Sequence, residues 1–318
     1  MTSSKPTIAG LFAGVGGIEL GFQQAGFLPI FANEIDKYAA TTYRANHSHE
    51  LNVGDIGQLA SESIRKDLTV LAGGFPCQPF SVAGYRKGFK DDRGNVFRDV
   101  VRLIQDRQPE VVFLENVKNL RGHDGGNTFK VIQESLEASG YNVSARVLNS
   151  SEYADIPQNR ERIYIIGFRN VEASRRFQWP EAVPLNKPLK ELINFYKKVD
   201  AKYYYTDERP FWEILQSEVV KPKTIYQWRR QYVRQNKSGV SPTLTANMGM
   251  GGHNVPIIKS RFGIRKLTPR ECFNLMGYPE DFILPAVVSD SQLYKQAGNS
   301  VVVPVIRRLA EQVMSAIK

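Results

Sequence analysis

Apolar runs typical of strands alternate with amphipathic helical stretches over residues 7–168, and this alternation constrains the fold more than any other feature of the chain. The runs Thr7–Ala13, Leu28–Asn33 and Val111–Glu115 are each followed by a stretch with helical periodicity. A strand, a helix and a second strand in succession build a parallel sheet with crossover connections. We therefore predict an α/β fold with a doubly wound, mostly parallel sheet.

The pattern changes near Trp179. Beyond this residue prolines are frequent, and the glycine run Gly249–Gly252 interrupts any regular periodicity. Helical periodicity returns over Leu293–Lys318, with apolar residues on one face. These shifts predict a second, smaller and less regular domain that begins near Trp179.

The net charge of +10 is concentrated in one segment of the chain. Between Val219 and Arg270 there are eleven Lys and Arg residues and no Asp or Glu, so the remainder is close to neutral. Aromatic side chains are interleaved with basic ones over Tyr226–Arg234. A solvated face usually mixes both signs of charge, so this segment favours a polyanionic partner such as a nucleic acid.

Cysteine and histidine usage excludes several classes of protein. The two cysteines, Cys77 and Cys272, make no disulfide framework, and the four histidines show no metal-ligand spacing. We expect a reducing compartment and no structural zinc, with Cys272 in the core. There is no apolar run of membrane-spanning length, and residues 1–6 lack the apolar core of a signal peptide. We therefore expect a cytoplasmic protein without a membrane partner.

The first strand runs into a glycine turn, Gly10–Gly17, which allows close approach of a ligand to the backbone and to a helix N-terminus. Glu34 follows the second strand, where an acidic side chain can bind ribose hydroxyls. Glu19 replaces the third glycine of the dinucleotide fingerprint, and an acid is unfavourable next to a pyrophosphate. We therefore favour a nucleoside cofactor without phosphates, S-adenosylmethionine. Asp55 is either a ligand of the adenine amino group or an ordinary loop aspartate.

A second turn, Gly73–Ser81, follows the apolar run Leu68–Ala72 and contains Cys77. Ligands of open α/β sheets bind at the carboxyl ends of strands, which makes Cys77 a candidate nucleophile. From the turn alone, a small apolar side chain that fills the core is an equally good interpretation.

Eight segments, in their order along the chain, resemble the DNA (cytosine-5) methyltransferase family, most closely the small bacterial modification methylases of restriction–modification systems. They are Leu11–Gly17, Asn33–Glu34, Gly54–Ile56, Gly74–Gln78, Glu115–Val117, Gln158–Arg162, Arg265–Cys272 and Gln296–Val301. The resemblance implies the Rossmann-like fold of S-adenosylmethionine-dependent methyltransferases. It also implies sequence-specific methyl transfer from S-adenosyl-L-methionine to carbon 5 of a flipped-out cytosine in double-stranded DNA, with S-adenosyl-L-homocysteine as product and no metal.

The resemblance implies four catalytic residues. Carbon 5 of cytosine is a poor nucleophile, and addition of the Cys77 thiolate to carbon 6 makes the ring an enamine. Glu115 protonates or hydrogen-bonds ring nitrogen 3. Arg160 and Arg162 hold the carbonyl oxygen of the base or orient Glu115. The base that removes the carbon-5 proton is not identified, and water is an option.

The resemblance also implies the cofactor site and the division into domains. The implied cofactor ligands are Phe12, Ala13, Gly14, Gly16, Gly17, Glu34, Ile35, Asp55, Ile56, Pro76, Asn299 and Ser300. Because the segment with Asn299 and Ser300 packs against the first glycine turn in the family, the larger domain is expected to be discontinuous. It comprises residues 1–178 and 285–318, and residues 179–284 form the target-recognition domain, with DNA in the cleft between them.

Eight residues are expected to contact DNA. A mobile loop over residues 81–96 contributes Ser81, Arg86, Lys87 and Arg93, and the basic segment contributes Gln227, Arg229, Arg230 and Arg234. Some relatives carry a hydroxyl residue near position 83, where this chain has Ala83. The sequence therefore does not identify the side chain that fills the gap left by the flipped base.

Other functions remain as alternatives. The runner-up is a tRNA cytosine-5 methyltransferase of the same family, although the basic segment favours DNA. A non-catalytic DNA-binding regulator is disfavoured, because the first strand begins near Thr7 and the proposed catalytic positions are intact. The Asp/Asn-Pro-Pro-Tyr/Phe motif of amino-group methyltransferases is absent. We expect a monomer, associated with the nucleoid through DNA and paired with a separately acting restriction endonuclease.

Overall fold

The computed structural model describes residues 5–76, 96–229, 231–249 and 255–318. Seven strands form the larger sheet: β1 (Thr7–Leu11), β2 (Leu28–Glu34), β3 (Glu50–Val53), β4 (Val70–Gly73), β5 (Val111–Val117), β6 (Asn142–Asn149) and β7 (Glu161–Phe168). Their order is β3-β2-β1-β4-β5-β7-β6. Strands β1 to β5 are parallel, and β7 is antiparallel to both of its neighbours. The predicted doubly wound, mostly parallel sheet is confirmed.

The described helices include one after each of β1, β2 and β5, as the alternation of the sequence predicts. They are α1 (Gly17–Gln24), α2 (Lys37–Asn46), α3 (Val96–Arg107), α4 (Asn127–Ala138), α5 (Ser150–Tyr153), α6 (Val171–Arg176), α7 (Leu189–Leu192), α8 (Trp212–Glu218), α9 (Pro269–Leu275), α10 (Asp290–Asn299) and α11 (Val303–Ile317). The strand order changes direction between β1 and β4, and the carboxyl ends of these strands define the switch point at which such sheets bind ligands.

Helices cover both faces of the larger sheet because its strands are apolar on both sides. Val111 and Phe113 of β5 belong to one hydrophobic cluster, which includes α1 and α11. Val112 and Leu114 belong to the other cluster, which includes α3 and α4. Successive side chains of a strand point to opposite faces, so a continuous apolar run is what a central strand needs.

The C-terminal segment returns to the larger sheet. The predicted helical stretch Leu293–Lys318 falls into two helices, α10 and α11, separated by residues 300–302. Val305, Leu309 and Val313 of α11 are buried in the cluster that contains Phe22 of α1. The last part of the sequence therefore supplies the helix that packs against α1, the helix that follows the first glycine turn.

A second sheet lies within the irregular part of the chain. It contains β8 (Ile225–Trp228), β9 (Val233–Gln235), β10 (Ile257–Ser260) and β11 (Gly263–Lys266), in the antiparallel order β11-β10-β8-β9. Tyr226, Trp228 and Ile257 form a small cluster of their own. Ile258 on the opposite face, together with Cys272, belongs to the main core. The small sheet is thus joined to the rest of the protein through apolar contacts.

One basic residue of the acid-free segment is not at the surface. Arg265 is 0% exposed and donates hydrogen bonds to both carboxyl oxygens of Glu271 at 2.7 Å. Glu271 also completes a capping box with Thr268 at the start of α9. Arg265 is therefore not among the charges that the basic segment offers to a partner, because its guanidinium is buried in a bidentate pair with Glu271.

No described helix has the length and apolarity needed to span a membrane. Within the same described ranges, no group of three or more His, Cys, Asp or Glu side chains is arranged to hold a metal ion.

Candidate active site

The glycine turn after β1 adopts left-handed backbone angles. Phe12, Gly14 and Gly16 have φ values of 53°, 58° and 86°. A Cβ atom at Gly16 would lie 2.0 Å from His47 Nε2, so only glycine fits there. Gly16 is also the N-cap of α1 and provides no side-chain hydrogen bond to it. The turn therefore places the N-terminus of α1, which has no side-chain cap, at the switch point of the sheet.

A cavity of about 380 Å³ lies at this switch point. Its walls come from the glycine turn, the ends of β2, β4 and β5, the start of β7 and the end of α10. Eight of the twelve predicted cofactor residues line it: Phe12, Ala13, Gly14, Gly17, Glu34, Pro76, Asn299 and Ser300. The structure thus brings together residues that lie almost 300 positions apart in the sequence.

The other four predicted cofactor residues are not in the wall of this cavity. Gly16 lies in the turn with its Cα facing His47, and Ile35 follows the end of β2 and is 63% exposed. Asp55 accepts a hydrogen bond from the Gly57 amide at 2.8 Å and caps a short 3-10 turn. Ile56 is buried in the core. Cofactor contacts of these four residues stay predictions.

Glu34 is held in one orientation by the backbone. Its two carboxyl oxygens accept hydrogen bonds from the amides of Gly14 and Asp36, each at 2.7 Å. Each oxygen keeps a further lone pair, and the side chain lines the cavity. Two fixed acceptors side by side match a pair of neighbouring hydroxyl groups, as on a ribose.

Glu19 does not face the cavity, contrary to the prediction that it excludes a pyrophosphate there. The residue is 0% exposed, and its carboxyl lies against the backbone of Gly10 in β1. Burial, with a smaller contribution from the charge of Glu34, raises the pKa of Glu19 to about 8. The argument against a dinucleotide from this residue is therefore wrong, since the side chain points into the core beneath the turn.

The raised pKa of Glu19 predicts a pH-dependent stability. The unfolded chain releases this proton near the ordinary value of 4.5, whereas the folded protein keeps it up to about 8. Stability is therefore lost as the pH rises through this window, by about 1.4 kcal/mol per pH unit. The Glu19→Gln variant cannot titrate here, so its free energy of unfolding should rise relative to wild type between about pH 5 and about pH 8. Urea denaturation across this range measures the difference.

The exposed Glu50 provides a matched control for this experiment. Glu50→Gln makes the same chemical change at the surface, and its stability should run parallel to wild type at all pH values. A difference between Glu19→Gln and wild type that stays constant with pH would contradict the assignment.

Glu115 and Arg162 form an ion pair in the wall of the cavity. Glu115 lies near the end of β5, and Arg162 lies at the start of the antiparallel neighbour β7, diagonally across from it. Arg162 Nε is 3.0 Å from Glu115 Oε1, with side-chain exposures of 14% and 11%. Of the two roles predicted for Arg162, this geometry supports the orientation of Glu115.

The environment of Glu115 changes the pKa of its carboxyl group. Burial raises the pKa of this carboxyl, and the charges of Arg162 and Arg160 oppose part of the rise. A carboxyl with a raised pKa retains its proton to a higher pH than an ordinary glutamate does, and it can transfer that proton to a base that becomes more basic during a reaction.

The turn at the end of β4 is attached to β5 beside Glu115. Asn116 donates a hydrogen bond from Nδ2 to the Phe75 carbonyl at 2.9 Å, and both residues line the cavity. Cys77 follows this turn directly in the sequence. Cys77, Ser81, Arg86, Lys87, Arg93 and Arg230 lie outside the described residues, as does the predicted loop 81–96 except for Val96.

Arg160 is bound by backbone carbonyl groups. Its terminal guanidinium nitrogens donate to the carbonyl oxygens of Leu244 at 2.7 Å and Gly298 at 3.1 Å, and also to that of Ser300. The side chain is 2% exposed and also lines the cavity, so its predicted role toward the base or Glu115 stays a prediction. These hydrogen bonds connect the start of β7 to two distant segments.

Residues 7–315 match the family described as C-5 cytosine-specific DNA methylase. The chain belongs to this family. It is 58% identical over 309 residues to the Type II methyltransferase M.Bsp6I of Bacillus sp. (strain RFL6), with 96% of this chain and 98% of the relative covered. It is 41% identical over 312 residues to the Type II methyltransferase M.NlaX of Neisseria lactamica, with coverages of 98% and 96%. A crystal structure of a Spodoptera frugiperda DNMT2 mutant superposes with a TM-score of 0.74 at 20% identity, covering 98% and 100%, and shows the same fold.

The family of cytosine methylases implies S-adenosylmethionine as methyl donor, and the cavity fits it. Glu34 offers paired acceptors for ribose hydroxyls. Gln296 lines the same cavity, and its buried Nε2 has no hydrogen-bond partner among the described residues. A ligand that brings an acceptor into the cavity would satisfy this orphaned donor.

Two further positioning residues of this family member were not assigned roles from sequence. Gln158 accepts a hydrogen bond from the Leu244 amide at 3.1 Å and donates one to the Leu275 carbonyl at 2.8 Å. A Cβ atom at Gly298 would lie 2.1 Å from the carbonyl carbon of Thr245, so α10 contacts that segment directly. The alternation Gln158, Arg160, Arg162 marks one face of an extended segment but does not reveal these partners.

A second, polar cavity of about 500 Å³ adjoins the start of β7. Three of the predicted DNA-contacting residues, Gln227, Arg229 and Arg234, line it together with Asn159. Five other polar residues complete its wall, namely Asn236, Ser238, Thr243, Thr245 and Asn247. Because Asn159 precedes Arg160, this surface lies next to the segment that leads to the Glu115–Arg162 pair.

Proposed function

We propose that the protein is a sequence-specific DNA methyltransferase that transfers a methyl group from S-adenosylmethionine to carbon 5 of a flipped-out cytosine in double-stranded DNA. The observation that carries the proposal is the buried Glu115–Arg162 pair in the wall of the cavity that contains Glu34 and the glycine turn. Family membership and relatives named Type II methyltransferases support it. In a Type II system, this methylation protects host DNA from a cognate restriction endonuclease.

The chemistry assigns a role to each catalytic residue. The Cys77 thiolate forms a bond to carbon 6, and the electrons of the 5,6 double bond move toward nitrogen 3 and carbon 5. Glu115 donates its proton to nitrogen 3, and Arg162 keeps the carboxyl in place. S-adenosylmethionine, when bound, supplies an electrophilic methyl group for carbon 5. Loss of the carbon-5 proton to a base then restores the 5,6 double bond and expels the cysteine, and the proton on nitrogen 3 returns to Glu115.

The residues of the cavity divide between the two ends of the cofactor. Glu34 binds the ribose hydroxyls through its two fixed oxygens. The glycine turn, Asn299 and Ser300 surround the part of the cofactor that carries the sulfur. Asp55 and Ile56 are assigned to the adenine, at the edge of the sheet next to β2.

We assign DNA to the cleft between the two domains. One domain is formed by residues 1–178 and 285–318, and the other by residues 179–284. The polar cavity lined by Gln227, Arg229 and Arg234 faces this partner. Amide and guanidinium groups can read base edges in the major groove, whereas Lys and Arg contacts to phosphates provide affinity. We propose that the cognate endonuclease is a separate protein. The methyltransferase is a monomer in the cytoplasm and is associated with the nucleoid through DNA.

Radioactive methyl transfer tests the proposed substrate. Purified protein should incorporate methyl groups from S-adenosylmethionine into duplex DNA from a host that lacks the enzyme, and not into tRNA. DNA from a host that expresses the protein is the matched control and should accept none, because its sites are already methylated. Bisulfite sequencing of that DNA would then give the recognition site. Incorporation into tRNA but not into DNA would establish the tRNA alternative instead.

A further inference from the structure

Gln296 is a buried side chain in the cavity whose hydrogen bonds are only half satisfied. It lies on α10 and is 6% exposed. Its Oε1 accepts a hydrogen bond from Thr42 Oγ1 of α2 at 2.9 Å, whereas its Nε2 has no partner among the described residues. Buried amide groups in folded proteins nearly always find an acceptor, so the Nε2 of Gln296 is a donor whose partner is not among the described residues.

The surroundings of Gln296 point to an anionic acceptor. Gln296 lines the cavity together with Val15, Gly17 and Ile18, at the start of α1. The N-cap of α1 is Gly16, which has no side chain to accept a hydrogen bond, so the positive end of the helix dipole is open. The neighbouring cation Lys295 is already paired with Asp36 at 2.7 Å.

We propose that Gln296 is a cofactor-binding residue that donates a hydrogen bond from Nε2 to the carboxylate of the methionine part of S-adenosylmethionine. The inference rests on the proposed function for the identity of the cofactor. Glu34 is an acceptor and therefore binds the hydroxyl end of this molecule. Gln296 is a donor beside an uncapped helix N-terminus, and the carboxylate is the only anionic group of the cofactor.

A pair of ligands that differ in the carboxylate tests this assignment. S-adenosyl-L-homocysteine contains the amino-acid part, and 5′-methylthioadenosine has the same adenosine and thioether without it. Calorimetric titration should show that Gln296→Leu weakens S-adenosyl-L-homocysteine roughly 10-fold or more, the effect of a lost hydrogen bond to a charged group. Binding of 5′-methylthioadenosine should stay within about twofold of wild type.

Two other variants separate binding from structure. Gln296→Glu keeps the size and the acceptor toward Thr42 but places a negative charge at the donor position. It should weaken S-adenosyl-L-homocysteine more than Gln296→Leu does, again without an effect on 5′-methylthioadenosine. Thr42→Val removes the bond to Gln296 and the longer one to the Tyr38 carbonyl, and it should leave both affinities within about threefold of wild type.

The outcomes distinguish this inference from the proposed function. Equal weakening of both ligands by Gln296→Leu would show that Gln296 acts through the structure or the adenosine, and an unchanged affinity for both would show no contact. Either result overturns the assignment while the methyltransferase function stands. If wild-type protein binds neither ligand, the proposed function fails and this inference fails with it.

Discussion

Cys77→Ser protein is expected to form no covalent adduct with a duplex that carries 5-fluorocytosine at the target position. With wild-type protein the adduct should accumulate, because fluorine cannot leave carbon 5 as a proton does and the cysteine cannot be expelled. Serine is a far weaker nucleophile than a thiolate at neutral pH, so turnover on ordinary DNA should fall by at least about 10³-fold. Denaturing gels of protein incubated with labelled duplex and S-adenosylmethionine measure the adduct.

Binding of S-adenosyl-L-homocysteine provides the control for this variant. The affinity should be retained, since the cofactor site is built from other residues. Cys272→Ser changes the other cysteine, which is buried in the core, and it should still allow trapping wherever the protein folds. Methylation by Cys77→Ser at the wild-type rate would refute the covalent mechanism.

The second large effect is expected for Glu115→Gln. Glutamine has the same shape but cannot transfer a proton to ring nitrogen 3, so kcat should fall by about 10²- to 10⁴-fold. The side chain lies in a buried ion pair with Arg162, and no other described carboxyl touches that guanidinium. Because the contact acts in the reaction rather than in binding, KM for DNA should change little. Steady-state and single-turnover rates separate these quantities.

Glu161→Gln is the matched control for Glu115→Gln. Glu161 lies next to Arg162 in β7 but pairs with the surface residue Lys118 at 2.8 Å. The chemical change is identical, and kcat should stay close to wild type because exposed ion pairs contribute little. Equal losses in the two variants would show that a general electrostatic change, and not proton transfer from Glu115, lowers the rate.

Much of the fold is predictable because it depends on local patterns. The alternation of apolar runs and helical stretches locates β1, β2, β4 and β5. β6, Asn142–Asn149, was missed because its residues are mostly half-buried and give no clear apolar run. The antiparallel direction of β7 was also not visible, since it depends on the path of the chain through β6 and not on residues within β7.

The site was predictable to the extent that function depends on residue type and order. Eight of the twelve predicted cofactor residues line one cavity, and Glu115 meets Arg162 there. The partners of the buried polar groups were not predictable. Arg160 bonds to Leu244 and Gly298, which are 84 and 138 positions away, and Gln296 bonds to Thr42 at a separation of 254.

The sequence by itself determined the order of strands and helices, the kinds of chemical groups at the strand ends and the basic character of one segment. Only the tertiary structure decided what each of these groups does. Glu19 lies in the core and not in the cavity, and Arg265 is paired with Glu271. Gln296 has an unpaired donor and lines the cavity. The physical reason is that the hydrogen-bond partners and burial of a polar side chain depend on segments remote in the chain, which the local pattern does not specify.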